Sequence, residues 1–232
     1  MGRVEAEPPP VITLDGPSGV GKGTVALHLA RQSGWHLLDS GALYRLVALI
    51  AQRQEIPLSA EARLAEAAAT MDVRFDIDPL GGCTQVRLDG QVVDAALRSE
   101  ECGNRASQVA VHPQVRAALL DFQHGFQRAP GLIADGRDMG TVVFPAAALK
   151  IYLTASAAVR AQRRRTQLKE QGLDVSLTRL IEEIEARDQR DASRSVAPLR
   201  PADDALVIDT TDLGIDEVVA RVWQEAKNRR LL

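Results

Sequence analysis

Short apolar runs alternate with longer amphipathic segments along most of this chain of 232 residues. Runs bounded by polar residues predict buried strands, and their alternation with helices predicts an α/β fold with a parallel sheet and helices on both faces. The predicted strands each end in or beside Asp, Ser or Thr, and they lie at 11–15, 35–38, 131–135, 149–153 and 205–209.

Helical periodicity covers most of the remaining chain. Pro113 is expected at a boundary or kink, and Gly172 is expected to separate two charged helices. The predicted helical segments lie at 42–53, 60–70, 105–127, 156–194 and 213–230. Residues 73–77 and 84–93 instead alternate apolar and polar positions, which predicts a hairpin with one solvated face. We therefore expect a small antiparallel insertion at about 73–100.

The segment Val11 to Thr24 reads V-I-T-L-D-G-P-S-G-V-G-K-G-T. A strand, a glycine-rich loop, a lysine and a helix in this order form a cradle for phosphates, because backbone N–H groups and a helix N-terminus face the anion. Gly16, Gly21 and Lys22 fit the pattern G-x-x-x-x-G-K-[ST], which has Ser or Thr directly after the lysine. Here Gly23 follows the lysine, and Thr24 comes one position later. The variant G-K-G-T resembles the loop of nucleoside monophosphate kinases. The alternative is a tight glycine turn with an unrelated lysine.

Parallel strands bring their carboxyl ends to one edge of the sheet, where ligands bind in such folds. This rule predicts that a set of polar residues following the strands shares one crevice: Asp15, Asp39, Ser40, Asp135, Arg137 and Asp138.

Three further motifs carry candidate chemistry, each with a plainer alternative. Ser40, Tyr44 and Arg45 open a helix and suit a second phosphate, although Ser40 alone also suits a helix cap. Asp135 resembles the metal-organising aspartate of phosphate-loop enzymes, or else forms a structural salt bridge. The segment 186–194 places arginines and aspartates at helical spacings, which is also the pattern of a solvated helix with ion pairs.

Composition narrows the function classes. The formal net charge is -3 and aromatic residues make up 3% of the chain, which argues against a nucleic-acid-binding module. Cys83 and Cys102 show neither metal spacing nor a disulfide framework, and the four histidines lie far apart in sequence. No signal peptide or membrane-spanning run is evident, so we expect a cytoplasmic location without membrane association.

Several segments resemble bacterial cytidylate kinases, in the order found in that family. They include the glycine loop, W-H-L-L-D-S-G-A-L-Y-R from Trp35, N-R-A-S-Q-V-A from Asn104, G-L-I-A-D-G-R-D-M-G-T-V-V-F-P from Gly131 and E-A-R-D-Q-R-D-A-S-R-S-V-A-P-L from Glu185. The resemblance covers nearly all of 11–210. It implies a P-loop NTPase-type core at 11–40, 130–155 and 196–232. It also implies a monophosphate-binding domain at 41–129 and a helical lid at 156–195. Residues 1–10 have three consecutive prolines and no periodicity, so we expect a disordered tail there.

The same resemblance implies an ATP:(d)CMP phosphotransferase of pyrimidine metabolism, with Mg²⁺ carried by the nucleotide and no metal site of the protein's own. It assigns the donor phosphates to the loop residues Gly16, Pro17, Ser18, Gly19, Val20, Gly21, Lys22, Gly23 and Thr24. It assigns catalysis to Lys22, Asp135, Arg137, Arg187 and Arg194. The acceptor phosphate or sugar falls to Ser40, Tyr44, Arg45, Arg137, Arg187, Asp191 and Arg194, and the base to Ser107, Arg116 and Asp138.

Other readings stay open at this point. One is a related small-molecule kinase, such as an adenylate or shikimate kinase, with the same loop. Another is a nucleotide-dependent switch protein, although the N-K-x-D motif typical of GTPases is missing from the sequence. We expect a monomer acting on CMP or dCMP and ATP.

Overall fold

The computed structural model describes residues 8–77, 84–170 and 172–232. Its strands are β1 Val11–Asp15, β2 His36–Asp39, β3 Val73–Ile77, β4 Thr84–Leu88, β5 Gln91–Val92, β6 Leu132–Asp135, β7 Leu149–Thr154 and β8 Leu206–Asp209. Its α-helices are α1 Lys22–Ser33, α2 Ser40–Arg53, α3 Glu61–Thr70, α4 Asp94–Leu97, α5 Glu100–Val109, α6 Pro113–His124, α7 Ala157–Glu170, α8 Leu177–Ala192 and α9 Ile215–Asn228. A π-helix spans Met139–Val143.

The chain divides into two compact units. We call residues 1–39 with 123–232 the sheet unit and residues 40–122 the helical unit. The helical unit overlaps the predicted domain 41–129 over residues 41–122, and the predicted lid segment 156–195 lies within the sheet unit. No helix in the described part of the chain is both long and apolar enough to cross a membrane.

The sheet unit contains five parallel strands in the order β2-β6-β1-β7-β8. All five strands were predicted, with bounds within a residue of those observed. The central strands are buried along almost their whole length, since helices cover them, and their apolar side chains pack with α1 and α9 into one core. The register pairs Asp39 with Asp135 and Leu14 with Asp135, so strand-end carboxylates meet at one edge. The predicted α/β fold class is confirmed.

The α7–α8 helix pair also belongs to the sheet unit. Gly172, at φ +80°, follows α7, and Ser176 caps α8 by accepting a hydrogen bond from the Arg179 amide. The buried core of the pair is small, consisting of Ala161, Leu168 and Leu180.

Two residues at the end of the predicted tail, Pro9 and Pro10, make hydrogen bonds within the sheet unit. The Pro9 carbonyl accepts a hydrogen bond from the Gln127 side chain, and the Pro10 carbonyl accepts one from the Leu132 amide. Residues 1–7 lie outside the described residues.

The helical unit contains the predicted antiparallel insertion as a three-stranded sheet, β3-β4-β5. Its turn at 78–83, including Cys83, lies outside the described residues. The expected extent to residue 100 was wrong, because the sheet ends at Val92 and α4 follows.

The helix predicted at 105–127 is two helices, α5 and α6. The first begins earlier than predicted because the Ser99 hydroxyl caps it, accepting from the Cys102 amide at 3.1 Å. Pro113 opens the second, a position that suits a residue with no N–H to donate.

Candidate active site

The glycine loop connects β1 to α1 and is shaped by backbone conformations that favour glycine. Gly16 has φ +143°, and a Cβ atom there would lie 2.1 Å from the Leu153 carbonyl oxygen. Gly21 is the N-cap of α1 in the left-handed conformation and offers no side chain to its first-turn amides. Those amides are therefore positioned to bind an anion.

Lys22 is buried at the start of α1, with 6% of its surface exposed. Its Nζ donates to the Pro17 carbonyl oxygen at 2.9 Å, which keeps the ammonium group within the loop. Burial, and next the charge of Arg137, lower the pKa of Lys22 to about 7, although Asp135 and Asp15 oppose this shift. Lys22 thus lies in a cluster of buried charges at the edge of the sheet.

Asp135 ends β6 beside this loop. A Cβ atom on Gly23 would lie 3.4 Å from the Asp135 Oδ2, so the carboxylate lies against the start of α1. Burial raises the pKa of Asp135 to about 7, against the opposing charge of Lys22. Asp39, at the end of β2, also raises it, as expected for neighbouring strand ends.

The π-helix follows β6 and was missed by the sequence reasoning. Asp138 is its N-cap and is almost fully buried. Asp15 Oδ1 accepts from the Met139 amide at 2.8 Å, and Asp15 Oδ2 accepts from the Gly140 amide at 2.7 Å. Burial raises the pKa of Asp15 to about 6, although these two hydrogen bonds favour its charged form. The only sequence signal was the position of Asp15 at a strand end.

Three arginines of the predicted site meet at one carboxylate. Asp191, on α8, is 1% exposed. The Arg137 Nε donates to its Oδ2 at 3.2 Å, Arg194 donates to its Oδ1, and the Arg187 Nε lies 4.0 Å from Oδ2. Arg187 also donates to the Ser18 hydroxyl of the glycine loop at 3.4 Å. This part of α8 is therefore not the solvated helix that its charge pattern alone allowed.

Arg160, on α7, was not among the predicted site residues. It donates to the Ala155 and Ser18 carbonyl oxygens, each at 3.0 Å, and to the Asp188 carboxylate. It therefore connects the glycine loop with both helices of the pair. The arginine-rich composition of the segment was the only sequence signal, and it did not distinguish Arg160 from its neighbours.

The helical unit holds the remaining predicted residues. The Arg116 guanidinium lies 5.7 Å from the centre of the Tyr44 ring, within cation–π distance, and Ser40 and Ser107 are both buried. Arg45 donates to the Leu97 carbonyl and, at 3.4 Å, to that of Ser99. Tyr44 and Arg116 are thus brought together, whereas Arg45 contacts the connection between α4 and α5.

The fold and the loop define a P-loop kinase. A family profile described as "Cytidylate kinase" matches residues 12–228. A protein named "Cytidylate kinase" from Shewanella denitrificans is 55% identical over 222 residues, covering 96% of this chain and 98% of the relative. One of the same name from Aeromonas hydrophila is 54% identical over 220 residues, covering 95% of both. The chain therefore belongs to the cytidylate kinase family.

Resemblance to solved structures is weaker. TT1252 from Thermus thermophilus aligns with 97% of this chain and 99% of its own, with a TM-score of 0.47 and 19% identity.

Proposed function

We infer that this protein transfers the terminal phosphoryl group of ATP to CMP or dCMP, giving ADP and CDP or dCDP. The observation that carries this conclusion is the loop from Gly16 to Thr24, with Lys22 and Asp135 buried beside it, in a chain that belongs to the cytidylate kinase family. Adenylate and shikimate kinases are not favoured, because the curated relatives at this identity are named for cytidylate.

The charges of the sheet unit support a reaction that depends on neutralising phosphate. Phosphoryl transfer is catalysed mainly by positioning and by stabilising charge on the transferred group. Lys22 would act on the donor phosphates, and Arg137, Arg187 and Arg194 on the acceptor phosphate or the transferred group. These three guanidiniums and the Asp191 carboxylate together carry a net charge of two positive charges.

We propose that Mg²⁺ enters with the nucleotide. The described residues contain no group of three or more His, Cys, Asp or Glu side chains arranged to hold a metal ion. Mg²⁺ commonly binds through substrate phosphates, water and one or two carboxylates, and the buried Asp135 beside the glycine loop fits that requirement. The ion would supply neutralising charge between the phosphates.

The acceptor roles are proposals residue by residue. In the helical unit, Ser40, Tyr44 and Arg45 would bind the phosphate or sugar, and Ser107 and Arg116 the base. In the sheet unit, Asp191 would bind the ribose hydroxyls and Asp138 the base.

The chemistry of cytosine suits this assignment of the base. A carboxylate accepts from the N4 amino group, and an arginine donates to N3 or O2. Uracil reverses the pattern at positions 3 and 4, which leaves buried groups mismatched at a cost of about 1–3 kcal/mol. We therefore propose that CMP and dCMP are preferred to UMP. We also propose that the enzyme is cytoplasmic and acts as a monomer.

An acceptor panel tests the proposal. The purified protein is given ATP and Mg²⁺ with CMP, dCMP, UMP, AMP or shikimate, and ADP release is followed by a coupled assay. We expect the fastest turnover with CMP or dCMP, and the reaction without acceptor gives the hydrolysis background. Faster turnover with AMP or shikimate would contradict the proposal, and tight ATP binding without transfer to any acceptor would favour a switch protein.

A further inference from the structure

We propose that Asp15 is a positioning residue for selection of the acceptor base, because its carboxylate holds the backbone turn that presents Asp138. The proposal rests on the base-binding role of Asp138 proposed above. Nothing in the family resemblance assigned a role to Asp15, which lies at the end of β1, one residue before the glycine loop.

The first observation is that β1 holds the turn on both sides of Arg137 and Asp138. Before them, the Gly136 amide donates to the Leu14 carbonyl at 3.0 Å. After them, the Met139 and Gly140 amides donate to the two carboxylate oxygens of Asp15 at 2.8 and 2.7 Å. Two consecutive residues of one central strand therefore fix the chain that carries the candidate base-binding residue.

The second observation is the kind of turn being held. Met139 and Gly140 open the π-helix, and amides at the start of a helix have no acceptor within it. On its other side, the Asp138 carbonyl accepts from Val142 and Val143 at 2.9 and 3.2 Å. π-helices are rare and often found at functional sites, and here one side chain outside the helix accepts from both opening amides.

The third observation is that the two amides use different oxygens of the same carboxylate. A single buried acceptor satisfies only one of the two amides well, and a buried amide without a partner is costly. The neighbouring Thr13 provides the comparison. It is fully buried and its Oγ1 would lie 2.9 Å from a Cβ atom on Gly140, yet that hydroxyl makes no hydrogen bond among the described residues.

The test is the substitution Asp15→Asn, which preserves shape but leaves one acceptor oxygen and places an NH₂ group against the second amide. We expect the ratio of kcat/KM for CMP to that for UMP to fall about tenfold, mainly through a higher KM for CMP. Because a ratio cancels any loss of active enzyme, a merely structural defect would leave it unchanged. Thr13→Val is the matched control in the same strand and should retain the ratio.

A double-mutant cycle shows whether Asp15 acts through Asp138. In an Asp138→Ala background, Asp15→Asn should produce no further change in the ratio, because coupled residues are non-additive. An unchanged ratio in folded Asp15→Asn, or an equal fall in both backgrounds, would overturn the positioning role alone. An unchanged ratio in Asp138→Ala would instead overturn the base-binding role, and the inference with it.

If Asp15→Asn does not fold, hydrogen exchange in the unmodified protein tests whether the two amides are held as proposed. The Met139 and Gly140 amides should exchange far more slowly than open-chain amides, both with and without CMP. Exchange of either amide at open-chain rates would overturn the proposal.

Discussion

The glycine loop and the α7–α8 helix pair both place positive charge in the sheet unit, but they hold it differently. The loop is defined by the main chain, with positive φ at Gly16, Gly19 and Gly21 and a single lysine among its residues. The helix pair relies on long side chains, which are held by carboxylates and carbonyl oxygens. We therefore expect the loss of one ion-pair partner to disturb the helix pair more than the loop.

This difference predicts which substitutions lower catalysis and which lower stability. The helix pair has three buried apolar residues and four partly buried ones packed against them, so we expect its arginine contacts to contribute to the order there. The loop has the central sheet and α1 behind it, within the main core. A side chain removed from the loop should therefore cost catalysis more than stability, and a carboxylate removed from the helix pair should cost both.

The largest expected effect is that of Lys22→Ala. Loss of the charge aimed at the donor phosphates should lower kcat with ATP and CMP by about a thousandfold, or roughly 4 kcal/mol. The fold should persist, as measured by thermal unfolding.

Lys150→Ala is the matched control for that variant. Lys150 is a buried lysine on β7 whose Nζ pairs at 2.9 Å with Asp204, a residue outside the glycine loop. It should lower stability without lowering kcat in the folded enzyme. A comparable fall in kcat for both variants would show that the loop lysine has no special role.

The next effect is the destabilisation expected from Asp191→Asn. This change removes the negative charge shared by Arg137, Arg187 and Arg194 and leaves the three partly buried guanidiniums in place. Breaking a buried ion pair on one side costs about 3 kcal/mol, which for a chain of this size is roughly 6–12 °C in Tm. Differential scanning calorimetry measures the shift, and added ATP with CMP should restore part of it by supplying negative charge.

Asp174→Asn serves as the control, because Asp174 is an exposed acid in the connection between the two helices. Surface substitutions of this kind change stability by less than about 0.5 kcal/mol. Equal shifts in Tm for Asp191→Asn and Asp174→Asn would mean that the arginine cluster contributes no stability.

The difference between the glycine loop and the helix pair also explains how much of the fold and of the site the sequence could predict. The glycine loop and the five strands follow from local signals, namely glycines at fixed spacing and short apolar runs. The ion pair between Arg137 and Asp191 joins residues 54 positions apart. Asp15, which accepts from the first two amides of the π-helix, lies 124 and 125 positions from them. Pairings at such separations depend on the finished fold, so the arginine pattern of 186–194 also allowed a solvated helix.

A smaller, pH-dependent effect is expected for Asp135→Asn. Burial raises the pKa of Asp135 from 3.8 to about 7, so the ionised carboxylate destabilises the folded state above that pH. The variant should lose activity yet gain Tm at pH 8, by about 2–4 °C for each 1 kcal/mol recovered.

The sign of the pH dependence follows from proton linkage. Between about pH 4 and 7 the folded state holds a proton that the unfolded state has lost, so the cost disappears as the pH falls through this window. The Tm advantage of Asp135→Asn should therefore shrink between pH 8 and pH 5. An advantage that grows on acidification would show that the carboxylate is stabilising in its ionised form.

The smallest effect is expected for Arg179→Ala, also on α8. The Arg179 side chain is 73% exposed and its Nε pairs with Glu183 one helical turn away at 2.8 Å. Such pairs contribute about 0.3–0.5 kcal/mol, so Tm should fall by no more than about 2 °C and the kinetic constants should be unchanged. If this variant lowered Tm as much as Asp191→Asn, burial would not be what distinguishes the arginines of the helix pair. A negligible shift would show that this exposed ion pair contributes little to the stability of the helix pair.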